Sequence, residues 1–549
     1  MQREGVRGRR SEVISPRGMV ATSQPLAVQV GIDVLKRGGH AVDAAIATNA
    51  MLGLVEPMSC GLGGDLFAIV WDEKAEKLVG FNGSGRAPRA MTRDLFATRG
   101  LDRIPNRGPL SWTIPGCVDG WFTLHDRFGR LPIDELLAPT IAYAESGFPV
   151  SPVIARTWAA AADRLCADPG AAATFLVSGH APNVGEVVRN PDLAASLHAI
   201  CSEGRDAFYR GPIAERIVAC AEATGGLIAR EDLAEHRSTW DDPVSINYRG
   251  YDVWELPPNS QGIAALQMLS ILEGFDVSEL ERDGAELLHL QIEAKKLAFE
   301  DRARYYADPV FADVPLDGLI SPAYAARRRS QIVRSGTLVR VPAGNPRFEP
   351  PPGNGDTVYL TVVDEERNAV SFIQSIYNDF GSDVVPPGTG FALQNRGSLF
   401  HLDADHPNTI EPGKRPFHTI IPAFVTLDGR PIYSFGVMGG DMQPQGHVQV
   451  LVNRIDFGMD VQAAGDALRW RHVGSSTPTG QKMSGGGLVL LESGFPQSTF
   501  DGLRAKGHRV EYRPVGSGFG GYQGIWIAPE TGMLHGGSES RKDGCALGY

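Results

Sequence analysis

The sequence predicts an α+β fold, helical through its middle and sheet-rich in its last third. Three observations predict it. From about Leu131 to Leu338 the apolar residues recur mostly at helical spacing. Beyond Thr357, short runs of β-branched and aromatic residues alternate with Gly, Pro, Asn and Asp, the punctuation of strands and turns. Between the two, VPAGNPRFEPPPGNGD is too rich in proline and glycine for a helix or a central strand, yet it breaks straight into TVYLTVVD.

Taken in order, the N-terminal stretch MQREGVRGRRSEVISPRGMV is basic and holds an Arg-Arg pair. It lacks the apolar run of roughly seven or more residues that a secretory or twin-arginine signal needs, so a cytoplasmic location is expected. Ser23 and Pro25 open a helix with Val28, Ile32 and Leu35 on one face, and Gly38-Gly39 ends it. A second, more apolar helix spans roughly Ala41 to Leu54. The segment GLGGDLFAIVWD, residues 61–72, is a glycine-rich turn entering a strand. It lacks the Lys-Ser/Thr ending of a phosphate loop and precedes a strand instead of linking strand to helix, so the glycines are read as close backbone packing. In ELLHLQIEAKKLAFEDRARYYADP, Leu290, Ala294, Leu297 and Asp301 keep helical spacing. His289 and Glu293 lie one turn apart there, but one such pair is too few for a metal site, and His289 is read as structural.

Composition narrows the function. A hydrophobic fraction of 42% with 21% charged residues is ordinary for a soluble enzyme, and the net charge of -12 argues against a nucleic-acid partner. No apolar run reaches the roughly 18 residues of a membrane-spanning helix, so no membrane partner is expected. Six scattered cysteines without a CxxC pair indicate neither a zinc site nor a disulfide framework. They are expected to be reduced and buried, and no metal or other cofactor is called for.

The run TVYLTVVDEERNAVSFIQSIY reads as two strands around the polar loop Asp364–Asn368, apolar on both faces as inner strands are. If Val363 faces Ala369, each step back along the first strand is a step forward along the second, and Ser375 falls opposite Thr357.

Several long segments resemble the γ-glutamyltransferase family of N-terminal nucleophile hydrolases: GMVATSQPLAVQVGIDVLKRGGHAVDAAIATNAMLGLVEPMSCGLGGD, PPNSQG, EAKKLAFEDRARYYADP and GGSESRKDGCALGY. The central match, DTVYLTVVDEERNAVSF, is similar to that family's nucleophile segment. The resemblance implies a four-layer αββα sandwich with extra helices from the N-terminal part. It implies a precursor that cuts itself at Asp356-Thr357, leaving a large chain 1–356 and a small chain 357–549 that stay associated. A threonine hydroxyl needs an adjacent base to become a nucleophile, and the cut supplies one, the new α-amine of Thr357, with a reference pKa near ~8. The resemblance further implies that Ser375 hydrogen-bonds the Thr357 hydroxyl and that Gly439-Gly440, at the end of a strand, form the oxyanion hole.

The sequence also departs from the family's pattern. In FNGSGRAPRA, Ser84 stands where γ-glutamyl enzymes carry an arginine for the substrate α-carboxylate, with Arg86 close by. In LQNRGSLF, after Asn395, Arg396 and Leu399 replace the acids that hold the substrate amine. Tyr377 replaces an asparagine, and His418-Thr419 replace a serine pair. A guanidinium would repel a substrate ammonium but binds a carboxylate bidentately, so the pocket is expected to take an anion without an amino group, as in the oxamate-hydrolysing branch of the family. Three enzyme readings remain beside each other at this point: an oxamate-like amidohydrolase, a glutathione hydrolase or γ-glutamyltransferase with Arg86 holding the carboxylate, and a cephalosporin-type acylase. An unprocessed, non-catalytic homologue is the reading from another class, and an internal ion pair is the alternative role for Arg396. The expected partners are a small anionic amide or γ-glutamyl compound and the two fragments themselves, with a homodimer of that unit left open.

Overall fold

Strands apolar on both faces need cover on both, and the computed structural model, which describes residues 10–346 and 358–549, supplies it. Two seven-stranded sheets lie face to face. The first runs, edge to edge, Cys545–Gly548, Met19–Thr22, Val358–Val363, Ala369–Ser375, Asp65–Asp72, Lys77–Gly83 and Thr239–Asp241. The second runs Val13–Ser15, Leu534–Ser538, Gly521–Ile527, Arg430–Met438, Ala423–Leu427, Tyr251–Glu255 and Val244–Tyr248. All pairings in both are antiparallel. Between them lies an apolar layer that includes Phe67, Tyr359, Ile373, Phe424 and Ile525.

Helices cover the outer faces. Pro25–Lys36 and Ala41–Val55 pack on the first sheet, Gly262–Leu272 and Met442–Ile455 on the second, with Ala285–Tyr305 stacked outside Gly262–Leu272. This is the αββα arrangement, with the remaining N-terminal helices added around it. Ala41–Val55 is buried nearly all round, as its uninterrupted apolar sequence requires. It starts with a reciprocal cap: Asp43 Oδ2 accepts the His40 N–H at 2.9 Å, and His40 Nδ1 accepts the Val42 N–H at 3.1 Å.

The hairpin register matches the sequence expectation, with Val363 opposite Ala369 and Val358 opposite Gln374. Asp356 and Thr357 lie outside the described residues. Two other expectations need correction. The helical middle is interrupted by the strands Thr239–Asp241, Val244–Tyr248 and Tyr251–Glu255. The last two are joined by Arg249-Gly250, both at positive φ (55° and 88°), the two-residue hairpin turn that suits twisted strands. Of the cysteines, all free, Cys60, Cys117 and Cys220 are buried, but Cys166 is exposed and Cys201 and Cys545 are half-buried.

The strand order interleaves the chain. Val358–Val363 is hydrogen-bonded on one side to Met19–Thr22, and its hairpin partner Ala369–Ser375 is bonded to Asp65–Asp72. A break before residue 358 therefore leaves both pieces woven into one sheet. No helix among the described residues is long and apolar enough to cross a membrane.

Candidate active site

The site is built where three strand ends meet. Ser375 ends its strand opposite Asp65 and is fully buried. Its Oγ accepts the Tyr377 N–H at 2.8 Å, and Tyr377 turns the chain at φ 79°. Gln374 locks the glycine-rich turn beneath: its side chain accepts the Gly61 N–H and donates to the Gly61 carbonyl, both at 2.9 Å. A Cβ on Gly63 would lie 2.1 Å from the Ala392 carbonyl oxygen, and one on Gly64 would lie 2.4 Å from that of Ser375. The turn is glycine because backbone passes against backbone there, as the sequence suggests.

Gly439-Gly440 follow the strand Arg430–Met438 and precede the helix Met442–Ile455. Both have positive φ, 122° and 59°. Across the sheet interface, Thr361 donates to Ser434 Oγ at 2.6 Å, while the Tyr359 ring packs on Gly436. One strand climbs as the other descends, so Gly439-Gly440 sit at the same end as the start of Val358–Val363. Gln261, from PPNSQG, fixes this corner: its Nε2 donates to the carbonyls of Thr419 at 2.6 Å and Gly440 at 3.0 Å. Arg302 clamps Gln261 Oε1 and Asp441 Oδ1 with one nitrogen, at 2.5 and 2.6 Å.

Arg396 opens the short turn Arg396–Leu399 and is fully buried. Its Nη1 donates to Thr419 Oγ1 at 2.7 Å, and its guanidinium carbon lies 4.9 Å from the centre of the Tyr377 ring. Leu399 is buried in the core of the second sheet. The Asn395 amide holds the backbone, accepting the Asn378 N–H at 3.0 Å and donating to the Asn106 carbonyl.

His418 Nε2 lies 3.0 Å from Asp65 Oδ2, and its Nδ1 faces the Ile420 N–H at 3.4 Å. Those partners select the neutral ring with the proton on Nε2. Burial holds His418 well below its usual range, and Arg396 and Arg415 add to the effect. Asp65 Oδ1 also takes the Gly85 N–H, the Gly116 N–H and the Gln394 amide at 2.8, 3.2 and 2.8 Å. Burial pushes the Asp65 carboxyl up to about 7 against the opposing pull of Arg396 and these donors.

Ser84 donates to Asn82 Oδ1 at 2.7 Å and accepts from Asn259 at 3.2 Å. Arg86 donates to the Gly413 carbonyl at 3.2 Å and lines a cavity of about 470 Å³ with Asn82, Asn259, Asp308 and Arg415. Tyr377 and Gly439 line a different cleft, of about 420 Å³. The structure thus gathers Ser375, Tyr377, Arg396, Thr419, His418, Gly439 and Gly440 around one corner and sets Arg86 on another opening. Asp65, Gln261 and Gln394 are the residues that reading the sequence missed. All three stand inside quoted motifs, GLGGD, PPNSQG and LQNRGSLF, which was the available signal.

His289, Glu293 and His508 bring their ligand atoms within 4.8 Å of one another. Each is occupied by the protein. His289 bonds His508 at 2.8 Å and the Val333 carbonyl at 3.0 Å, and Glu293 accepts from Lys296 at 2.8 Å and from Thr337 at 2.9 Å.

Two antiparallel sheets packed between helices, with an inner strand beginning at this corner, define the N-terminal nucleophile hydrolases. The sequence profile described as gamma-glutamyltranspeptidase matches residues 27–549, and the chain belongs to that family. It is 40% identical over 537 residues to the glutathione hydrolase-like YwrD proenzyme of Bacillus subtilis, covering 98% of this chain and 99% of that protein. It is 36% identical over 548 residues to the oxamate amidohydrolase proenzyme of Klebsiella pneumoniae, covering 98% and 100%. Among solved structures, cephalosporin acylase from Bacillus halodurans superposes with a TM-score of 0.91 at 44% identity, covering 100% and 99% of the two chains. The chain is therefore a proenzyme of an amidohydrolase with an N-terminal nucleophile.

Proposed function

We propose that the chain cuts itself between Asp356 and Thr357 and then hydrolyses a small, oxamate-like amide that bears a carboxylate. Thr357 supplies the hydroxyl nucleophile and its own α-amine the base, Ser375 orients the hydroxyl, and Gly439-Gly440 receive the developing oxyanion. Arg396 and Thr419 hold the substrate carboxylate, with Tyr377 and Asn395 shaping the turn around them. The observation that carries this reading is Arg396, a fully buried guanidinium bonded to Thr419 Oγ1 and stacked on Tyr377, where the family's γ-glutamyl enzymes carry an acid. His418 serves through Asp65, and Ser84 through Asn82 and Asn259. A cephalosporin-type acylase is the second reading, favoured by the size of the cleft at Gly439.

The test is a side-by-side assay of oxamate, γ-glutamyl-p-nitroanilide and a cephalosporin amide on the processed enzyme, repeated with Arg396→Ala. Losing a charge-assisted bond to the substrate costs about 1.5 to 3 kcal/mol, a tenfold to hundredfold fall in kcat/KM for oxamate. A strong preference for the γ-glutamyl compound that survives Arg396→Ala rejects the anion pocket.

A further inference from the structure

The cavity at Arg86 takes no part in the reaction proposed above. It lies beside the end of the strand Lys77–Gly83 and the strand Thr239–Asp241, and Asn82, Asn259 and Arg415 line it. Both asparagines bond Ser84, which does not line it, so they stand between this opening and the Ser84 corner. Arg415 is 5% exposed and has no ion pair among the described residues. Its guanidinium donates to neutral oxygens over long distances: Thr239 Oγ1 at 3.1 Å and the carbonyls of Ser84 and Asn82 at 3.3 and 3.5 Å. The acids nearby are already engaged. Asp308 accepts the Arg415 and Val310 N–H groups at 2.9 and 3.1 Å, Asp241 accepts from Asn82 and Thr239 at 3.0 and 3.1 Å, and exposed Asp242 pairs with Lys77 at 3.5 Å. Arg86, 3.8 Å from Asp308, brings a second positive charge, and burial together with that charge pushes Arg415 down to about 10. A buried guanidinium held by long neutral bonds beside another guanidinium is costly, and a carboxylate shared between them offsets the cost.

Much of the remaining wall is apolar. Pro257, Pro258, Val314 and Leu316 line it with Trp240, whose ring is 37% exposed and is held edge-on by Phe81 at 5.0 Å between centres. A volume of about 470 Å³ suits a small organic molecule, and an apolar wall with a few convergent polar groups is the usual make-up of a ligand pocket. We infer that this cavity is a second ligand site, separate from the nucleophile's corner, which binds a small carboxylate with an apolar body: the carboxylate on Arg86 and Arg415, the body against Trp240 and Pro257-Pro258. The inference does not depend on which amide the enzyme hydrolyses.

Calorimetric titration of the purified protein with phenylacetate, phenylacetamide and acetate tests it. Phenylacetate should bind saturably at one site. The amide, which keeps the shape without the charge, and acetate, which keeps the charge without the body, should each bind at least about tenfold more weakly. Arg86→Ala should weaken phenylacetate by roughly tenfold and leave the amide unchanged, and Arg86→Lys should restore part of the loss. Trp240→Ala should weaken acid and amide alike. Arg396→Ala should change neither, which separates this site from the proposed substrate pocket. No saturable binding of phenylacetate, equal binding of acid and amide, or binding lost in Arg396→Ala overturns the inference. Should Arg86→Ala fail to fold, the acid-to-amide ratio in Arg396→Ala and the loss in Trp240→Ala still decide it.

Discussion

His418 Nε2 lies 3.0 Å from Asp65 Oδ2, and neither residue is exposed. The pair joins the strand Asp65–Asp72 of the first sheet to the segment beside Thr419. Because burial raises the Asp65 carboxyl to about 7, the folded state holds a proton between pH ~4 and ~7 that the unfolded state has released. Stability from this group is full below pH ~4 and is lost as pH rises toward 7. The stability of wild type relative to Asp65→Asn should therefore fall with pH in that window, with a slope of up to about 1.4 kcal/mol per pH unit. Denaturant titrations across pH 4 to 8 measure it, and a difference independent of pH contradicts it.

Gly439 adopts φ 122°, and a Cβ there would stand 3.0 Å from Gly520 Cα. Gly439→Ala should shift the backbone at the proposed oxyanion site and lower kcat by roughly a hundredfold to a thousandfold, the range for losing one such donor. Steady-state kinetics on the folded variant check this. Wild-type kcat would remove the glycine pair from the catalytic machinery.

An α-amine base gives hydrolysis a characteristic pH profile. The rate should climb through roughly pH 7 to 8 as the Thr357 amine loses its proton and level above that. A flat profile across that interval, with acyl transfer shown to be rate-limiting by a burst experiment, excludes amine catalysis.

Legibility of the sequence divides along physical lines. The hairpin could be read because a short polar loop between two all-apolar strands fixes their register, and Val358 does face Gln374. The glycine turn at Gly61–Gly64 could be read because the absence of side chains has a local steric cause. The Asp65–His418 bond could not, since it joins residues far apart in sequence on separate elements, and nothing local to either one points to the other. Gln261 shows the same limit: its motif was visible, but the two carbonyls it ties belong to later segments. The strands Val244–Tyr248 and Tyr251–Glu255 were missed for another reason. Their short alternating pattern sits between long helical stretches, and Arg-Gly is a weaker hairpin signal than Asn-Gly.

The most direct measurement is N-terminal sequencing and intact mass of the purified wild-type chain beside Thr357→Ala. Wild type should resolve under denaturing conditions into residues 1–356 and 357–549, the smaller fragment beginning Thr-Val-Tyr-Leu. The fragments should copurify natively, because their strands alternate within one sheet. Thr357→Ala should remain a single 549-residue chain, since the hydroxyl that starts the acyl shift is gone. A wild-type protein that stays whole after long incubation, or a small fragment beginning at any other residue, would contradict Thr357 as the nucleophile.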